Sequence, residues 1–190
     1  MEITRERTME LLREHNRDEN HIKHALAVEA TMRHFARKFG EDEEIWGITG
    51  LIHDLDWGKT QDDPEKHCHL APEWLREAGY PDEIIRALQS HGWGICTDVE
   101  PKTLMEKTIY AIDELTGFIV AVALVRPSRS LQDMAVKSVK KKWKDKRFAA
   151  GVDRSVVEKG SEMLGMPLED LISDTLEAMK PVEKEIGLGE

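Results

Sequence analysis

At 190 residues, with 40% hydrophobic and 34% charged side chains, the chain is long enough to bury a core without disulfides or structural metals and reads as one globular domain. Its formal net charge of −10 argues against generic binding to nucleic acid or anionic membranes, both of which reward positive fields, while leaving room for a small anion drawn in by a bound cation. Two cysteines without CxxC spacing, Cys68 and Cys96, do not make a disulfide framework. The polar N-terminus and the lack of any membrane-length apolar run predict a cytoplasmic protein with no membrane partner.

The hydrophobic pattern predicts helix after helix. Residues 3–15 carry Ile3, Met9, Leu11 and Leu12 among charges. Over 20–39, Ile22, Ala25, Val28, Met32, Phe35 and Phe39 recur at three- and four-residue steps until Gly40. Ile45, Ile48, Ile52 and Leu55 form one stripe over 42–55, and a loop is expected over 57–63. Pro64 suits a first helical position after an Asp cap, opening a helix over 64–78 that Gly79 ends. A short helix follows from Pro81 to about Ser90, then a loop marked by Gly92, Gly94 and Pro101. Residues 102–125 form a long apolar helix, the spine of the core, broken at Pro127–Ser130. Helices over 131–144, 153–164 and 167–184 complete an all-α bundle, the second with Ser155 and Glu158 as a capping box. The chain divides into a core of about 18–126 and a helical extension of about 127–190 within a single domain 1–190.

Of eight histidines, one is followed at once by an aspartate: His53-Asp54, at the end of an apolar helix. Neighbours within a helix point about 100° apart, but at a helix end both side chains can converge on one ion. His24 lies in the preceding helix, and His67 and His91 lie on two later ones. Asp113 sits inside the apolar helix, where a carboxylate is costly unless it is paired or binds a metal. Any one of these histidines alone is more simply a surface or satisfied core residue. His15 and His34 read as a solvated helix face, and His21 as a packed or capping residue.

The ordered set His24, His53-Asp54, His67, His91 and Asp113 resembles the signature of the HD superfamily of metal-dependent phosphohydrolases. The strings His53-Asp54-Leu55-Asp56-Trp57, Asp113-Glu114-Leu115-Thr116-Gly117 and Phe148-Ala149-Ala150-Gly151-Val152-Asp153-Arg154 are similar to a prokaryotic branch of it. The resemblance implies an HD-domain helical bundle with additional C-terminal helices. It also implies a first metal held by His24, His53, Asp54 and Asp113, and a second held by His67 and His91 with Asp54 as bridge and catalytic anchor. His69 is the alternative to His67. Imidazole with carboxylate suits Mn, Fe, Ni, Co or Zn, one or two ions, and such a cation activates water for attack on a phosphate ester. Asp56 is placed to orient a ligand histidine, and Lys59 or Arg154 to hold the substrate phosphate. Many relatives carry His-Asp-x-Gly-Lys, whereas Gly58-Lys59 here comes two residues later.

The expected substrate is a nucleotide or another small phosphorylated metabolite, with nucleic acid an unlikely partner and a homodimer compatible with the C-terminal helices. The same superfamily leaves two rivals: a mixed-valent diiron oxygenase and a non-catalytic nucleotide sensor. Glu114 follows a ligand directly and is expected to face away. The lysine-rich stretch from Lys137 to Arg147, interleaved with Val139 and Trp143, reads as an amphipathic helix with a solvated basic face. Trp57 and Trp93 flank the proposed site. Gly58-Lys59-Thr60 is not a P-loop, because the position five residues before Gly58 is His53.

Overall fold

Capping chemistry sets most helix boundaries. In the computed structural model of the chain, which describes residues 3–189, Thr4 accepts from Arg7 N to open α1 (Arg5–His15). Asp18 does the same for α2 (Glu19–Phe39), and Gly40 ends it in the left-handed region at φ 73°. Asp42 caps α3 (Glu43–Ile52), which is followed by a one-turn α4 (Trp57–Thr60) and a 3-10 turn (Pro64–Lys66). Then come α5 (Ala71–Glu77), α6 (Asp82–His91) and α7 (Leu104–Leu124), the last opened by a reciprocal Thr103–Glu106 capping box. α8 (Val136–Trp143), α9 (Arg154–Leu164) and α10 (Leu168–Met179) follow, with a closing 3-10 turn at Lys180–Val182. Among the described residues there is no strand, only an isolated bridge between Trp93 and Thr97, so the fold is all-α as expected.

Several boundaries differ from the periodic pattern, each for a local reason. The expected helix over 64–78 is interrupted at 67–70, because the Asp56 carboxylate accepts the backbone N–H of Cys68, Leu70 and Ala71 at 3.0–3.1 Å. Cys68 there sits at φ 67°, a conformation no helix continues through. The helix expected from 131 begins only at Val136, since Glu183 takes Leu131 N at 2.9 Å. Ser155 is not the cap of α9: Asp153 accepts Ser155 N, and Glu158 accepts Trp143 Nε1 instead. α3 ends at Ile52, which leaves His53 and Asp54 in the turns beyond it.

Two apolar clusters share α2. Leu12, Ile48, Leu51, Leu75, Ile84 and Leu88 pack with Ile22 and Ala25 on one side. Met32 and Phe35 pack with Ile112, Phe118, Val157 and Ile172 on the other. Burying a side chain such as Phe35 or Phe118 contributes about 2–3 kcal/mol each. Two glycines let backbones close up beside the site. A Cβ at Gly50 would lie 2.9 Å from Val28 O, and one at Gly160 would lie 2.5 Å from Ala111 Cα. The first draws α3 onto α2, and the second draws α9 onto α7 two residues before Asp113.

Candidate metal centre

Four helices deliver the histidines and aspartates singled out by the sequence to one place. His24 comes from α2, His53 and Asp54 from the end of α3, His91 from the last residue of α6 and Asp113 from mid-α7, while His67 follows the first 3-10 turn. His24 Nε2 lies 2.9 Å from Asp113 Oδ1 and 3.7 Å from Asp54 Oδ2. His53 Nε2 lies 3.2 Å from Asp113 Oδ1 and 3.4 Å from Asp54 Oδ2. On the other side, His67 Nε2 and His91 Nε2 each lie 3.1 Å from Asp54 Oδ1 and 3.2 Å from one another. His53, Asp54, His67 and His91 are buried, and His24 and Asp113 are half-buried.

The far nitrogens explain what this cluster can accept. His53 Nδ1 donates to Gly50 O at 2.7 Å, His91 Nδ1 to Leu88 O at 2.5 Å and His67 Nδ1 to Asp56 Oδ1 at 2.8 Å. With each Nδ1 donating, the Nε2 atoms are left to meet their neighbours. Those of His67 and His91 face each other and a carboxylate oxygen, an arrangement that a positive charge between them, a proton or a metal ion, satisfies. The electrostatics agree. Burial pushes the Asp54 carboxyl up, yet the His53 charge and the bonds from His53, His67 and His91 hold it well below the usual carboxylate range. Burial likewise opposes ionisation of Asp113, but His53 and His24 hold it low. Burial alone would lower the His67 imidazole, but Asp54 and Asp56 outweigh it and raise it to about 10. The site is therefore a negative well that attracts positive charge, and its donor set of imidazole and carboxylate fits a divalent transition metal. Three-donor groups able to hold an ion include His24/His53/Asp113 and His53/Asp54/His91.

Asp56 sits beneath the second pair. It is 1% exposed, and burial, which would raise its carboxyl, is outweighed by His67 and by the Ala71 and Cys68 N–H groups. His69 is not part of the cluster: its Nε2 donates to Cys96 O at 2.7 Å on the exposed side. His21, expected to be packed, is buried and donates from Nε2 to Asp54 O at 3.2 Å. His34 is not merely solvated: its Nε2 lies 2.8 Å from Asp174 Oδ1 of α10. His15 stacks on Trp74 with ring centroids 4.1 Å apart.

A cavity of about 500 Å³ opens over the cluster, lined by His24, Asp54, His67, His91 and Asp113 together with Trp57, Ile95, Tyr110 and Glu114. Glu114 therefore does not turn away as expected. Burial and the Asp113 charge push its carboxyl up to about 7, and it accepts Asp153 N at 3.3 Å. Lys59 and Arg154 are not brought to the cavity. Lys59 Nζ lies 4.8 Å over the Trp74 ring. The Arg154 guanidinium donates to the carbonyls of Trp143, Asp145 and Phe148 and stacks on Phe118 and Trp143. That arginine ties the 143–149 segment together rather than facing a substrate. Trp57 packs edge-on to His67 at the cavity wall, whereas Trp93 lies under Lys159, whose Nζ is 3.8 Å from its ring centre. Cys68 and Cys96 are free thiols, with Cys68 Sγ 3.8 Å from His91 Nδ1. Val139 and Trp143 bury the apolar face of α8; Lys137 and Lys141 are exposed, while Lys140 pairs with Glu169 and Lys142 lies over the Phe148 ring.

No helix among the described residues is long and apolar enough to cross a membrane. Ribonuclease Y of Acholeplasma laidlawii is 24% identical over 159 residues, which cover 82% of this chain and 28% of that protein. Ribonuclease Y of Desulfotalea psychrophila is 26% identical over 99 residues, 52% of this chain and 18% of that protein. For Ribonuclease Y of Chloroflexus aurantiacus the identity is 24% over 159 residues, 82% of this chain and 29% of that protein. The chain thus spans less than a third of the length of these curated relatives. No solved structure gives a significant match. The profile described as HD domain matches residues 21–117, a stretch that runs from His21 past Asp113 and takes in all six of the converging side chains. By that match over half its length, the chain belongs to the HD domain family.

Proposed function

We propose that the chain is a metal-dependent phosphohydrolase that holds two divalent transition-metal ions bridged by Asp54 and acts on a phosphate ester of a nucleotide or similar small metabolite. The observation that carries this reading is the division of the Asp54 carboxylate. Its Oδ2 faces His24 and His53, and its Oδ1 faces His67 and His91. One carboxylate serving two histidine pairs suits two ions, with His24 and His53 able to hold one and His67 and His91 the other.

When bound, such ions supply Lewis acidity and bring the pKa of a coordinated water toward neutrality. The chain's own residues do the rest. Asp113 closes the first set with His24 and His53, and Asp56 fixes the ring of His67 so that Nε2 points into the site. His21 pins the Asp54 backbone from the side. Trp57, Ile95 and Tyr110 wall the cavity with apolar surface, which limits water and offers a face to a base. The ribonuclease names of the relatives favour a nucleotide phosphate over other phosphorylated metabolites.

The test is a screen for phosphate or nucleotide release after reloading with Mn, Co, Ni, Zn or Fe. Turnover of at least one phosphate ester that disappears on chelation is the expected result. Oxygen consumption by the iron-loaded protein without hydrolysis of any ester would replace this reading with an oxygenase.

A further inference from the structure

A second cavity of about 430 Å³ adjoins the first and shares Asn20, His24 and Gly117 with it. Gly117 lies one turn beyond Asp113 on α7, and a Cβ there would meet nothing within 4 Å, so the groove between α2 and α7 runs open from one cavity to the other. Its lining carries two cations, Lys23 and Arg129. Lys23 directly precedes His24 on α2 and lies along the C-terminal segment, where a Cβ at Gly187 would fall 2.9 Å from its Nζ.

Arg129 is held in place by its backbone. Its φ is 48°, a left-handed conformation that costs a non-glycine residue on the order of 1 kcal/mol, and Gly189 N donates to its carbonyl at 2.8 Å. Among the described residues neither cation has a carboxylate within ion-pair distance, whereas Arg126 and Lys180 nearby are paired with Asp133 and Glu177. Glu183, in the same corner, is occupied by Ser130 Oγ and Leu131 N at 2.9 Å each. Two cations lining one groove, with no carboxylate partner among the described residues, stand against the chain's net charge of −10.

We propose that Lys23 and Arg129 form a second phosphate subsite, and that the substrate is a short oligonucleotide whose neighbouring backbone phosphate docks there while another is cut at the His/Asp cluster. This rests on the hydrolase reading above and narrows its substrate. The second cavity extends beyond the first along α7: at about 1.5 Å rise per residue its lining runs from Gly117, about 6 Å from Asp113, to Leu124, about 16 Å away, a span that a neighbouring phosphate on the same strand covers. The chain's net charge of −10 disfavours long polyanions, so the substrate is a few nucleotides rather than a long strand.

The experiment compares a 5′-fluorescein trinucleotide with a mononucleotide on the metal-loaded full chain, by steady-state turnover and by anisotropy with a non-hydrolysable phosphorothioate trinucleotide. Two phosphate contacts to a single strand predict that log affinity falls with log salt at a slope of about −1.4, moving to about −0.7 in Lys23→Gln or Arg129→Gln. In either variant the KM for the trinucleotide rises about tenfold and that for the mononucleotide less than twofold. Lys23→Arg and Arg129→Lys restore affinity, and the remote Lys140→Gln has no effect on it. Equal trinucleotide affinity and salt slope in wild type and both Gln variants, with ester hydrolysis intact, would overturn the subsite and leave the hydrolase reading standing. Salt-dependent binding lost in the variants, without hydrolysis of any ester, would uphold the subsite and overturn the hydrolase.

Discussion

The two sides of the His/Asp cluster use the same kinds of donor but are held by different means. His24 and Asp113 project from the interiors of α2 and α7, long helices locked by core packing, and His53 follows α3 where Gly50 lets it press on α2. His67 and His91 sit at ends: one after a 3-10 turn in a segment no helix organises, the other at the last residue of α6. What holds that second side is one carboxylate, Asp56, which accepts from His67 and three backbone N–H groups, together with the Leu88 carbonyl. Packing holds the first side, while the second rests on two acceptors, Asp56 for His67 and the Leu88 carbonyl for His91. Only Asp54 belongs to both.

The largest expected effect erases the distinction. Asp54→Ala removes the shared carboxylate and should weaken metal binding on both sides by more than about 100-fold, with turnover lost in step, as read by calorimetric titration and a steady-state assay. Retention of one equivalent at wild-type affinity would show that the two sides do not share this residue.

Asp56→Ala should separate the two sides. One equivalent of metal is expected to weaken about 10- to 100-fold while the other stays within a few-fold. The apo-protein should lose about 2–4 kcal/mol in urea unfolding, because several buried donors lose their acceptor together. Equal weakening of both equivalents would refute the claim that Asp56 serves only the second side.

Gly160→Ala strikes the packing that seats Asp113. The added Cβ would lie 2.5 Å from Ala111 Cα and Cβ, so the usual helix gain of alanine is outweighed and a loss of about 1–3 kcal/mol is expected in urea. An unchanged or raised midpoint would mean that the contact between α7 and α9 yields without cost.

The smallest effect concerns the outer clamp on α2. Burial opposes ionisation of Asp174, but Lys38 and His34 outweigh it and hold the carboxyl below its ordinary value. Its contribution is therefore present above the usual carboxylate value of about 4 and fades as pH falls through the lowered folded value. Asp174→Asn should cost up to about 1 kcal/mol at pH 7 and close to nothing near pH 2, as read by thermal unfolding at the two pH values. A cost that grows on acidification would reverse the sign and remove the ion pair as its cause.

The same contrast decides what could be read in the sequence. Helix-borne residues were legible because apolar periodicity fixes which way they face: the stripe Ile22, Ala25, Val28 places His24, and the run around Ile112 and Leu115 makes Asp113 conspicuous as a carboxylate in a core. The break at 67–70 was not legible, because it arises from Asp56 capturing backbone groups up to 15 residues away, which no local pattern encodes. Arg154 reads as a phosphate contact because it ends a string that carries the family resemblance, and Lys59 because it follows the His-Asp pair closely. Their actual partners, a set of carbonyls and the Trp74 ring, depend on how distant segments meet. Glu114 departs from its expected position for a related reason. One step round a helix from Asp113 is about 100°, enough to leave a deep site but not a wide cavity above it.

The most direct measurement is elemental analysis of metal per chain for the wild-type protein and Asp54→Ala, after loading with Mn or Co and gel filtration. Two equivalents in the wild type and none retained in the variant is the predicted result. A wild-type protein that retains no metal under any loading, or a variant that retains both equivalents, would contradict the assignment of this cluster as a two-ion centre bridged by Asp54.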